Sequence, residues 1–188
     1  MITSSHIQIS EKALRKNLRF LQNIIGDSCT FSSVVKGNAY GHGIEVFVPL
    51  AQKCGIGHFS VFSAEEASRV RKVASEGCRI MIMGMIDQAD LEWAILNGIE
   101  FFVFDRGRLE AALEASKKIG IPARIHIELE TGMNRSGFIK KDLHKVRDAL
   151  LSNPGRYNLE GLCTHYAGAE SIANHHRIQK QIKRFNVL

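Results

Sequence analysis

An α/β fold of the (β/α)8 TIM-barrel type, incomplete in this chain at about six βα units, is predicted by three observations. Short apolar, β-prone segments alternate with helical patterns along the whole chain, the loops between them are short, and the conspicuous polar residues fall at the C-terminal ends of the predicted strands. Strands separated by helices pair in parallel through right-handed crossovers, because no hairpin joins them. A doubly wound open sheet is the competing architecture. It would present a phosphate-binding glycine motif and a reversal of strand order, whereas a barrel sets its functional residues at the ends of successive strands. Lys36 at the end of the first strand, Glu128 and Glu130 at the end of the fifth, and Thr164 and His165 at the end of the sixth follow the barrel pattern.

Each element has a local reason. Leu14, Leu18, Leu21 and Ile25 recur at helical spacing after a cap at Ser10, and Gly26 stops that helix. Strand segments follow at 31–36, 57–62, 79–83, 99–104, 123–129 and 159–164. Helix starts are marked by Ser63 with Glu66 three residues on, by Asp87 with Asp90, and by Asp105; Gly55, Gly77, Gly98 and Gly120 stand at helix ends. A last helical segment runs from Ile172 to Leu188. A closed barrel needs eight strands and about 250 residues, so the expectation is a partial domain over 1–188 with unprotected strand edges.

Composition narrows the class. With 188 residues, 45% hydrophobic and 23% charged, the chain has the balance of a globular domain, and three prolines and sixteen glycines leave no linker at which to divide it. The polar N-terminus lacks a signal-peptide pattern, and no apolar run reaches the ~18 residues of a membrane span. The formal charge of +6 is spread along predicted helices, and even Arg177 to Arg184 is spaced like a solvated helix face, which argues against nucleic acid. Cys29, Cys54, Cys78 and Cys163 are far apart and form no CxxC pair, so neither a zinc site nor a disulfide framework is expected, and a reducing cytoplasm fits.

The segment VVKGNAYGHG, Val34 to Gly43, sets a lysine between a strand and a loop holding Gly37, Gly41 and Gly43. A lysine that is semi-enclosed there, with its pKa lowered by packing and nearby positive groups, offers the free amine that a Schiff base with an aldehyde cofactor requires. An isolated loop lysine is ordinarily just solvated. His42 reads as a loop residue, since no second ligand stands at metal spacing, and His175 and His176, adjacent on a helix, point apart. No metal site is expected. Met81, Met83 and Met85 alternate as strand residues do, with core packing their default.

The lysine segment, with LETGMNRSGF at Leu129 to Phe138 and LEGLCTHYAGAES at Leu159 to Ser171 in the same order and spacing, resembles the alanine racemases, fold-type III enzymes that use pyridoxal 5'-phosphate. The resemblance spans essentially the full chain. It implies that Lys36 carries the cofactor and exchanges the α-proton on the D-amino-acid face, and that Tyr40 holds the cofactor phosphate. It implies that Arg135 contacts the cofactor's phenolic oxygen and the substrate carboxylate, a task suited to its planar fork. It implies that His165 is set against the pyridine ring; Met83, at its strand end, is a further candidate for contact with that ring.

The same resemblance implies racemisation of L- and D-alanine for peptidoglycan precursors, in the cytoplasm, by a homodimer. The second proton-exchanging base would be a tyrosine of a C-terminal β-domain reaching the partner subunit's site. That domain is not encoded in 1–188, so this stretch alone is expected to be inactive or feeble. At Glu128 the pattern departs, since many relatives have there a lysine that becomes carbamylated and positions the arginine; a glutamate supplies negative charge beside Arg135 unmodified. A racemase of serine or a basic amino acid, and a non-catalytic pyridoxal-phosphate-binding barrel, are the alternatives.

Overall fold

The structure is a computed structural model and describes residues 6–188. The chain forms two compact units, one ending at Ile86 and the other starting at Asp87.

The first unit consists of α1 (Glu11–Ile25), β1 (Ser33–Val34), α2 (Lys36–Tyr40), α3 (Ile44–Lys53), β2 (His58–Val61), α4 (Ala64–Val73) and β3 (Arg79–Ile82). Ser10 caps α1 by accepting from the Ala13 N–H at 3.3 Å, and Gly26, with φ 72°, closes it. The strands are parallel and follow chain order, with Ser33 beside Phe59, and Phe59 and Val61 beside Ile80 and Ile82. This register puts Phe59, Val61, Ile80 and Ile82 on one fully buried face, where α4 packs against β2 and β3. Side chains on a strand alternate, so the intervening residues face the other way. There His58 Nδ1 meets Ser32 Oγ at 2.7 Å, and Ser32 Oγ meets Ser60 Oγ at 2.6 Å.

The alternation corrects two expectations. Met81 and Met83 are only half-buried and Met85 is exposed, because isoleucines 80 and 82 occupy the helix-covered face. Of the α1 stripe only Leu18 is buried; Leu21 and Ile25 are partly exposed, and Phe20 and Ile24 are open to solvent.

The second unit holds α5 (Gln88–Leu96), β4 (Glu100–Val103), α6 (Arg106–Ile119), β5 (Ala123–Glu128), α7 (Leu143–Leu151), β6 (Tyr157–Cys163) and α8 (His175–Phe185). Parallel β4, β5 and β6 again follow chain order, with a register shift at Ile125/His126. Phe101, Val103, Ile125 and Ile127 form the core beside Leu109 and Ala112 of α6. Asp105 caps α6, accepting from Arg108 N at 2.8 Å, whereas Asp87 starts α5 without a side-chain cap bond. The Arg108 guanidinium lies over the rings of Phe101 and Phe104 and donates to the Phe102 carbonyl, fixing the end of β4. Burial pulls its pKa down to about 10, against the opposing charge of Asp105.

The opposite face of β4–β6 is ionic. Glu100, fully buried, accepts from Arg124 Nη2 at 3.0 Å and from His126 Nε2 at 2.8 Å; Arg124 Nε also reaches Glu160 at 2.7 Å. Removing one member of a buried ion pair strands its partner. The Glu100→Ala variant is therefore expected to lose about 3 kcal/mol in urea unfolding; a midpoint equal to wild type would contradict that role.

Candidate active site

In the first unit the chain leaves β1 through a backbone that few sequences adopt. Gly37, Asn38, Ala39 and Tyr40 have φ of 60°, 56°, 55° and 53°, a left-handed turn that includes α2 and ends at Gly41 with φ 88°. Left-handed helical backbone costs about 1–2 kcal/mol per non-glycine residue, so surrounding contacts must hold it. They come mainly from α4. The Glu66 carboxylate accepts from Asn38 N at 3.3 Å with one oxygen and from Phe62 N at 2.9 Å with the other, tying the turn to the loop after β2. Asn38 Oδ1 accepts from Arg69 Nη2 at 2.6 Å and from Ile44 N at 3.2 Å, while Arg69 grips both oxygens of Glu45 at 2.7 Å. Ala39 is buried beneath the turn.

This network revises the capping reading of Ser63 and Glu66. Ser63 accepts from the Glu66 N–H at 3.3 Å as expected, but the Glu66 carboxylate serves Asn38 and Phe62. Arg69 also sets the charge of its neighbour: its hydrogen bonds, above all, lower the Glu45 carboxyl to about 2, helped by the Glu45 backbone N–H.

The turn presents Lys36 and Tyr40 to solvent. Lys36 is thus more open than the semi-enclosed lysine expected: it is exposed at the start of α2, just past β1, where Val34 is exposed too. Among the described residues no hydrogen bond or ion pair engages its amine. Met83 is half-buried just past β3, its N–H on the Val61 carbonyl at 2.9 Å. His42 stacks on Phe47 at 6.4 Å.

In the second unit the predicted arginine rides on a loop closed at its base. Phe138 N donates to the Glu128 carbonyl at 2.8 Å, and Glu130 N to the Phe138 carbonyl at 3.0 Å. Inside it, the Glu130 carboxylate accepts from the N–H groups of Gly132 and Asn134, which sets Asn134 at φ 57°. Arg135 and His165, which follows the end of β6, are both exposed. Glu128 is 5% exposed, and no hydrogen bond or ion pair joins it to Arg135 among the described residues. The paired arrangement expected for these two is not formed here. Glu128 lies beside Cys163, its register partner; burial, with that negative charge, pushes the Cys163 thiol up to about 12, so it stays protonated.

The structure therefore gathers Lys36 and Tyr40 on one turn of the first unit. In the second it sets Arg135 and His165 on loops after consecutive strands. A cleft of about 720 Å³ between α6 and α7, lined by Phe104, Leu109, Phe138 and Val146, contains none of these predicted residues. Sequence reading did not identify Asn38, Glu66 and Arg69 as holders of the lysine turn, nor Glu130 as the former of the arginine loop. An Asn flanked by Gly37 and Gly41 was the one available signal, since asparagine tolerates left-handed backbone.

Both units thus show parallel βα construction with reactive side chains on the loops at strand C-terminal ends, which is how β/α-barrel domains carry their sites. The sequence profile described as "Alanine racemase, N-terminal domain" matches residues 9–188, and the chain belongs to that family. The alanine racemase of Leptospira interrogans serogroup Icterohaemorrhagiae serovar copenhageni is 34% identical over 182 residues, covering 97% of this chain and 46% of the relative. That of Listeria monocytogenes serotype 4b is 30% identical over 193 residues, covering 100% and 50%. The chain thus spans about half the length of these relatives. Among solved structures, the alanine racemase from E. faecalis superposes with TM-score 0.84 at 28% identity, covering 95% of this chain and 48% of that one. The Bartonella henselae alanine racemase with covalently bound pyridoxal phosphate gives 0.82 at 26%, covering 95% and 49%. These likenesses show the fold as the incomplete barrel expected.

Two outcomes follow from the loop geometry. Glu45 has a lowered folded-state pKa, so its pairing with Arg69 contributes above the ordinary carboxylate range and is lost as pH falls through about 2. A carboxyl titration by NMR should place Glu45 near 2 in wild type and in the ordinary range in Arg69→Ala. At Gly137, φ is 106° and an added Cβ would lie 2.7 Å from Glu130 N and 2.9 Å from the Leu129 carbonyl carbon. Gly137→Ala should cost at least about 2 kcal/mol in denaturant unfolding; a neutral effect would mean that the loop base is not held as described.

Proposed function

We propose that this chain is the cofactor-bearing barrel part of a pyridoxal 5'-phosphate enzyme that interconverts L- and D-alanine, working as a cytoplasmic homodimer that supplies D-alanine for peptidoglycan. The observation that carries the reading is Lys36: an accessible amine with no hydrogen bond or ion pair among the described residues, just past the first strand, on a strained turn secured from α4. Family membership and the covalently bound cofactor of the Bartonella henselae relative support it.

The donor set fits the cofactor. An exposed primary amine suits its aldehyde, and the exposed Tyr40 hydroxyl, one turn away, suits its phosphate. When bound, the group supplies an electron sink for negative charge at the substrate α-carbon. Lys36 Nζ would hold it covalently and, when free, would take up and return the α-proton on one face. Arg135 would orient the substrate carboxylate through its two-pronged donor face, and His165 and Met83 would help to hold the cofactor. Exchange on the other face needs a second base, which we assign to a tyrosine of a partner subunit.

The experiment is a visible absorbance titration of the chain with pyridoxal 5'-phosphate, followed by borohydride reduction and peptide mapping. Wild type should develop a band, with the reduced adduct on the peptide containing Lys36, and Lys36→Ala should show neither. An adduct spread over several lysines would defeat the assignment.

A further inference from the structure

Along α8, Arg177, Gln181 and Arg184 share a helix face that reads from sequence as solvated and basic. In the structure that face lies against the loops of the candidate site. Arg184 Nη1 donates to the Thr131 carbonyl at 3.1 Å and Arg177 Nη2 to the Gly132 carbonyl at 3.3 Å. The approach is close enough that a Cβ on Gly132 would sit 3.2 Å from Arg184 Nη1 and 3.4 Å from Gln181 Cγ.

Gln181, 1% exposed, is the centre of this contact. Its Oε1 accepts from Ala167 N at 3.1 Å, while Nε2 donates to the His165 carbonyl at 2.8 Å and to Thr131 Oγ1 at 3.2 Å. Thr131, also buried, lies 2.7 Å from Thr164 Oγ1, and the Thr164 hydroxyl donates to the Leu129 carbonyl at 2.8 Å. Only one proton order satisfies this chain: Thr164 spends its proton on Leu129, Thr131 donates to Thr164, and Gln181 donates to Thr131. A buried amide is costly unless its donors and acceptor are matched. If packing were all that α8 needed here, an apolar side chain would serve better. What the amide adds is one acceptor facing an N–H and two donors facing a carbonyl and a hydroxyl, a pattern that fixes relative position.

We propose that Gln181 is a positioning residue for the candidate site, locking the Arg135 loop and the His165 segment into one register through its amide and the Thr131–Thr164 hydroxyl pair. The inference rests on the reading of Arg135 and His165 as the groups that face cofactor and substrate. Gln181 itself touches neither. It acts by setting where the loops after β5 and β6 begin.

The test uses the whole chain and two readouts. Trypsin cleavage after exposed Arg135 reports loop opening without any cofactor, and the visible band with pyridoxal 5'-phosphate reports apparent cofactor affinity. Gln181→Met and Thr131→Val each remove two or more hydrogen bonds and should each raise the Arg135 cleavage rate at least about tenfold, the effect of losing one net buried hydrogen bond, and weaken cofactor affinity in parallel. The double variant should be little worse than either alone, because both break the same chain. Leu150→Ala, a core truncation in α7, should lower the melting temperature without this selective exposure of Arg135. Wild-type cleavage rates in both single variants would overturn the proposal, as would a double variant equal to the product of the singles. Should Gln181→Met fail to fold, the near-isosteric Thr131→Val carries the test. Absence of a cofactor band in wild type would defeat the proposed function, while the trypsin arm would still decide whether Gln181 holds the loops.

Discussion

Parallel pairing of consecutive strands is the constraint on which the candidate site depends. A parallel neighbour is reached only by a crossover, so within each unit every strand ends at the same edge and every loop that follows it opens there. Lys36 after β1, Met83 after β3, Arg135 after β5 and His165 after β6 inherit their positions from that rule. The helices that make the crossovers bury one face of each strand set, leaving the other face for polar work. On it lie the His58–Ser32–Ser60 chain in the first unit and the Glu100–Arg124–Glu160 network in the second.

The loops at those strand ends are held by side chains rather than by secondary structure. The turn after β1 adopts left-handed backbone at three non-glycine residues, a conformation that ordinary local preferences oppose. Glu66 and Arg69 oppose that preference from α4, 28 and 31 positions beyond Asn38. Strain concentrated at a loop and relieved by a neighbouring helix is characteristic of a site where one side chain must be presented in one direction. The side chain at the start of this turn is Lys36, the proposed cofactor lysine.

The second unit solves the same problem with a different device. Its arginine loop is shaped from within by Glu130 and fastened from outside by α8, whose arginines bind carbonyls while Gln181 fills the buried space between two loops. Cations on carbonyl oxygens stabilise a loop without adding a competing anion near Arg135. Burial raises the Cys163 thiol pKa, and the Glu128 carboxylate beside it at the end of β5 adds to that rise.

What the sequence determined by itself was everything set by short-range rules. Ser10, Ser63 and Asp105 cap their helices because each hydroxyl or carboxylate needs only an N–H three residues ahead. The strand segments are legible because apolar runs of that length between helices have no other place to be buried. The lysine, arginine and histidine were legible as motifs at strand ends. Tertiary structure decided which alternate face of each strand is covered, putting isoleucines rather than methionines in the core of β3 and leaving Leu21 and Ile25 partly open. It also decided the partners of Glu66, Arg69, Glu128 and Gln181. Those pairings join residues tens of positions apart, Gln181 and Thr131 by 50, and no local spacing encodes them. A buried amide and a solvated one look the same in a sequence; only the packing of α8 against two loops makes Gln181 a clamp.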